Sequence, residues 1–74
     1  MKRRRLFNAR KFGRTVRGEL AAKGLSVRRA AREIGISSAT VSRVARGRPP
    51  DVESYLRLRL WLGWDARAYA DGAP

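Results

Sequence analysis

The chain has 74 residues and a mass of 8.3 kDa, enough for one small domain, and its 18 Lys+Arg against 6 Asp+Glu give a net charge of +12. It contains no Cys and no His, which removes disulfide scaffolds, zinc fingers, Cys or His nucleophiles and most transition-metal sites. A basic excess of this size points to a polyanionic partner, most simply nucleic acid.

The charge is unevenly placed. Residues 1–48 hold 15 basic and 2 acidic side chains, whereas residues 49–74 hold 3 basic and 4 acidic ones. Fifteen of the cations are Arg, whose planar fork fits phosphates and guanine edges better than the point charge of Lys. No stretch approaches the ~18 apolar residues of a membrane span, so no membrane association is expected.

In chain order, residues 1–7 read as a basic N-terminal arm carrying Lys2, Arg3, Arg4 and Arg5. Such an arm enters a minor groove, lies along phosphates or stays a solvated tail. From about Asn8 to Lys23 the spacing of Ala9, Phe12, Val16 and Leu20 predicts a helix that stops at Gly24. Gly13 and Gly18 each cost this helix about 1 kcal/mol relative to Ala, so packing must hold it. Ser26 is placed to cap a short helix over Val27 to Ile34, with Val27, Ala30, Ala31 and Ile34 on one face and Arg28, Arg29, Arg32 and Glu33 on the other. Gly35 ends it, Ile36 re-enters the core, and Ser37 caps a second short helix over Ser38 to Arg46. Val41, Val44 and Ala45 face inward there, and Ala39, Ser42, Arg43 and Arg46 form the opposite stripe. Gly47 stops this helix. Pro49-Pro50-Asp51 then marks a turn and a cap. Over residues 55–62 two readings stand: the alternation Leu56-Arg57-Leu58-Arg59-Leu60-Trp61-Leu62 is a strand signal, while Val52, Tyr55, Leu58 and Leu62 share a helical face. Asp65 is placed to cap a final turn through Tyr69, and residues 71–74 are expected to fray.

The two short helices joined through Gly35-Ile36-Ser37 make a helix-turn-helix over residues 27–46. Its outer stripe is small and polar with two arginines, a surface that can lie in a major groove. Ser26 to Gly47, followed by Pro49, resembles the helix-turn-helix of the Cro/phage-repressor (XRE-like) family through Ala31, Gly35, Ile36, Val41, Val44, Arg46 and Gly47. A weaker likeness runs from about Arg14 to Trp64. The resemblance implies an all-α, lambda-repressor-like domain of four to five helices over residues 8–70, with residues 38–46 as the recognition helix. It favours helix over strand for residues 55–62. It also places base-facing contacts at Ser38, Ala39, Thr40, Ser42 and Arg43. The pattern departs at Val27, where the family commonly has a Gln that anchors the helix pair on the DNA backbone; Arg28 and Arg29 are the candidates for that contact here.

Arg43 is the prime candidate for base readout, because a guanidinium fork matches guanine O6/N7. Arg14, Arg17, Arg28, Arg29, Ser37, Arg46 and Arg48 are assigned to the DNA backbone; Arg10 and Lys11 share the basic side of the first helix. Leu56, Leu60, Trp61 and Trp64 exceed what so small a core needs, and the cluster Leu60, Trp61, Trp64 and Tyr69 reads as a dimer interface mixed with core. No Ser has a His to act as base, the carboxylates form no recognisable metal or glycosidase pattern, and no Gly-rich phosphate loop occurs, so neither catalysis nor a cofactor or metal is expected.

The expected function is that of a sequence-specific regulator on double-stranded DNA, a repressor working as a homodimer on a partly palindromic operator. The short chain resembles phage or mobile-element Cro-type proteins, which implies a cytoplasmic, nucleoid-associated location in a bacterium or phage-infected host cell. Three rivals remain. One is an antitoxin that holds a small protein partner through its apolar C-terminal end. Another is a basic RNA- or DNA-coating protein without sequence preference. The third is a cationic membrane-active peptide, against which ordered, cooperative folding without lipid would count.

Overall fold

The computed structural model describes residues 7–63. Four helices run through them: α1 (Ala9–Lys23), α2 (Val27–Ile34), α3 (Ser38–Ala45) and α4 (Val52–Leu62), with no strand among the described residues. The expected turn through Tyr69 and the end at 71–74 lie outside them.

Each helix begins on a short polar side chain that accepts one of the otherwise unpaired amide protons of the first turn. Asn8 Oδ1 accepts from Lys11 N at 3.0 Å, Ser26 Oγ from Arg29 N at 3.1 Å, Ser37 Oγ from Thr40 N at 3.1 Å and Asp51 Oδ2 from Ser54 N at 3.4 Å. The Asp51 carboxyl sits below its ordinary value of 3.8, chiefly through its hydrogen bond with Ser54. A lowered folded-state pKa means that this stabilisation is present above the ordinary carboxylate range and is lost as pH falls through the lowered value. Acid titration of thermal stability should therefore show a small loss below pH ~4 that disappears in Asp51→Asn, where the cap no longer titrates. An unchanged acid limb in that variant would refute the assignment.

The helix ends follow the glycines. Gly35 has φ 88° and donates to the Ala31 carbonyl at 2.8 Å, and Ile36 N reaches the same carbonyl at 3.1 Å. Only a residue without Cβ enters this left-handed turn cheaply, and it folds the chain back within three residues. The third helix closes one residue earlier than the periodicity predicts: Arg46 is its C-cap, and Gly47 turns the chain away at φ 97°.

Residues 55–62 are helical, which resolves the two sequence readings. Asp51 caps the helix, and Leu58 and Leu62 point into the core. The buried face is Ser54, Leu58 and Leu62 with Tyr55 beside it. Val52, expected on that face, is 75% exposed: the first turn of α4 turns Ser54 inward instead, with Tyr55 packed beside it.

The core is shared by all four helices: Phe12, Val16 and Leu20 from α1, Ala30, Ala31 and Ile34 from α2, Val41 and Val44 from α3, and Leu58 and Leu62 from α4. Ala9, on the predicted stripe, is only half-buried. Phe7 continues the core past the start of α1. Its ring lies 5.4 Å from Phe12 and 5.2 Å from Tyr55, both edge-on, an arrangement the ring quadrupoles favour. Gly13 is where α1 meets α3: a Cβ built there would stand 2.5 Å from the Val44 carbonyl oxygen.

Candidate nucleic-acid interface

The outer side of α3 is polar and open. Ser38, Ala39 and Arg43 are exposed, and Thr40 and Ser42 half-buried. A chain of hydroxyls runs along it. Ser37 Oγ and Thr40 Oγ1 lie 2.8 Å apart, and Arg43 Nη2 donates to Thr40 Oγ1 at 3.4 Å. Thr40 thereby links the cap to the guanidinium of the exposed Arg43, which lies along the helix. Arg46 Nη2 likewise donates to Ser42 Oγ at 3.2 Å. At about 1.5 Å per residue α3 is ~12 Å long, close to the width of a major groove.

Basic side chains flank this stripe at both ends. At the N-terminal end, Arg28 and Arg32 line a cleft of about 350 Å³ together with Ala31, Ile36 and Ser38. Arg28, Arg29, Ser37 and Arg48 are exposed. Val27 packs against the core, while its neighbours Arg28 and Arg29 are exposed. At the C-terminal end, Arg10, Arg14, Arg17 and Arg46 line a second cleft. Arg17 also donates from Nη1 to the Ala45 carbonyl, which ties α1 to the end of α3. That bond across the helix crossing has no local signature in the sequence.

The charge is uncompensated where it matters. Among the described residues the ion pairs are Glu19–Lys23 at 3.2 Å and Glu53–Arg57 at 2.9 Å, and no arginine of α1, α2 or α3 has a carboxylate partner. Such a surface lowers its own energy by gathering phosphates.

The apolar C-terminal residues divide. Trp61 is half-buried against the core, donates from Nε1 to Glu33 Oε1 at 3.4 Å and lies under Lys23 Nζ at 4.6 Å. Leu60 is 82% exposed, and Val52 and Leu56 join it as open apolar side chains on α4. Trp64, Tyr69 and the arm residues Lys2, Arg3, Arg4 and Arg5 lie outside the described residues. Among the described residues no cluster of acidic side chains could hold a metal, and no helix is long and apolar enough to cross a membrane.

Two short helices crossing through a glycine turn, with an open polar stripe on the second and arginines on both sides, define a helix-turn-helix DNA-binding domain. A family model described as helix-turn-helix matches residues 16–59, more than half of the chain. The chain belongs to that family, the Cro/C1-type (XRE-like) DNA-binding transcription regulators, which are generally not enzymes. The search of curated proteins returns no match to this chain.

Proposed function

We propose that the protein is a sequence-specific repressor that acts by occupancy as a homodimer. Each protomer lays α3 in a major groove. Ser38, Ala39, Thr40, Ser42 and Arg43 meet base edges, and Arg14, Arg17, Arg28, Arg29, Ser37, Arg46 and Arg48 meet the flanking backbone. The arm, Lys2 to Arg5, adds minor-groove or phosphate contacts. The observation that carries this reading is the open face of α3, free of acids and large apolar groups, with Arg43 held by Thr40.

The apolar side chains of Val52, Leu56 and Leu60 support a dimer, because a domain this small gains stability by burying such surface against a second copy. In this reading Leu60 contributes its side chain and Trp61 only its outer edge; Trp64 and Tyr69, the other candidates from the sequence, lie outside the described residues. The Cro-like pattern supports a phage or mobile-element origin and a cytoplasmic, nucleoid-associated setting.

Selection from a random duplex library tests the reading. One partly palindromic sequence with half-sites about 34 Å apart is expected; uniform enrichment without a motif would overturn it. Leu60→Lys should shift the sedimenting species from dimer to monomer and weaken operator binding while leaving the fold intact. A wild-type protein that sediments as a monomer, both free and on its operator, would remove the dimer.

A further inference from the structure

Arg57 of α4 reaches the turn between α2 and α3. Its Nη1 lies 2.8 Å, and its Cζ 3.8 Å, from where a Cβ on Gly35 would stand. The guanidinium therefore fills the space that a side chain at position 35 would take. Arg57 also lines a cleft with Glu33 and Ile34, from the last turn of α2, and with Leu60 and Trp61 of α4. The C-terminal end of a helix carries about half a negative charge, so a cation here is stabilised as long as α2 keeps its end in this place. Glu53, one turn earlier on α4, accepts from Arg57 Nε at 2.9 Å. The Arg57 side chain is 46% exposed, and without that bond it would spread over many rotamers. Trp61 adds a second contact from α4 to the same end of α2, donating to Glu33.

We infer that Arg57 is a positioning residue for base reading: from α4 it fixes the Gly35 turn, and with it the stance of α3, without touching DNA. The chain of contacts is short. Gly35 N and Ile36 N both donate to the Ala31 carbonyl and close α2. The next residue, Ser37, caps α3 and meets Thr40, which in turn meets Arg43. A turn that opens and closes moves the start of α3 and spreads its outer side chains over several orientations. Base contacts need a fixed geometry, whereas phosphate contacts carry no sequence information, so discrimination falls more than affinity does. The inference rests on the base-reading role proposed for α3, and it adds a residue of α4 on which that role depends.

In the full chain, Arg57→Ala should lower the ratio of operator to random-duplex affinity by about two- to fivefold, the size of a charge contact at a helix end. The slope of log K against log salt should stay at the wild-type value, because no phosphate contact is lost. Amide hydrogen exchange at Gly35 and Ile36 should quicken by a similar factor, beyond any change at the core residues Val41 and Leu58. Glu53→Gln should reproduce part of both effects, and adding it to Arg57→Ala should make neither worse, since the two side chains act as one unit. Arg57→Lys, which restores the charge without the fork, should recover part of the ratio. Glu19→Gln breaks the other ion pair, within α1, and should leave ratio and exchange unchanged.

A lower melting temperature with an unchanged ratio and unchanged exchange at the turn would make Arg57 a stabilising residue only and overturn the inference. A slope reduced by about 1 would place its guanidinium on a phosphate, with the same consequence. An Arg57→Ala protein that sediments as a monomer where the wild type is a dimer would assign the side chain to the contact between copies instead. A library selection without a motif, beside faster exchange at Gly35 and Ile36 in Arg57→Ala, would overturn base reading itself and leave the pinning of the turn standing.

Discussion

Gly13→Ala should destabilise the domain by about 1–3 kcal/mol, a large share of the stability of a chain this short. In an ordinary helix interior the same change stabilises by about 0.5–1 kcal/mol, because Ala loses less backbone entropy than Gly. The sign reverses here because the new methyl would lie 2.5 Å from the Val44 carbonyl oxygen and 3.1 Å from the Gly47 amide nitrogen. Both are backbone atoms, so α1 and α3 must separate, and that opens the core around Phe12, Val16 and Val44. Gly18, with nothing within 4 Å of its added Cβ, supplies the control: Gly18→Ala should raise stability by about 0.5–1 kcal/mol. Chemical denaturation of the two variants reads both signs. A Gly13→Ala protein as stable as wild type would mean that α1 does not approach α3 as closely as described. Moving α1 also disperses the four-arginine cleft, so the variant should lose salt-dependent affinity beyond what its stability explains.

Arg43→Ala should reduce discrimination at one base pair per half-site by about 1–3 kcal/mol, ten- to more than a hundredfold in relative affinity. Affinity for random duplex should fall much less, because the phosphate contacts remain. Thr40→Val removes the hydroxyl that holds the guanidinium while keeping the side-chain shape. It should relax preference at the same base pair, by a smaller factor, with the salt slope unchanged. Arg14→Ala should do the reverse, weakening all sequences alike and lowering the slope. Equal losses on operator and random DNA for Arg43→Ala would place its side chain on a phosphate instead.

The approach of α1 to α3 also explains why Gly13 reads in the sequence as a weak point of a helix. A glycine kept for close contact and one kept for no visible reason carry the same local cost, and Gly13 and Gly18 differ only in what stands opposite them. Trp61 shows the same limit. Its apolar bulk suggests a surface for another molecule, yet its indole nitrogen and ring face are taken up by Glu33 and Lys23 of its own chain.

Much else was legible before any coordinates. Apolar spacing, Ser26, Ser37 and Asp51 at the helix starts, and Gly24, Gly35 and Gly47 near the ends all act within one or two turns of chain. Local order of that kind is written in neighbouring residues, so three helices, the tight turn and the outer stripe of α3 follow from it. The span 55–62 was ambiguous because its alternation satisfies both periods; burial of Leu58 and Leu62 beneath α2 selected the helix. The meeting of Arg10 with Arg46, the bond from Arg17 to Ala45 and the contact at Gly13 were decided only by tertiary structure. They depend on the angle and distance at which two helices cross, a property of the whole core that no local pattern encodes.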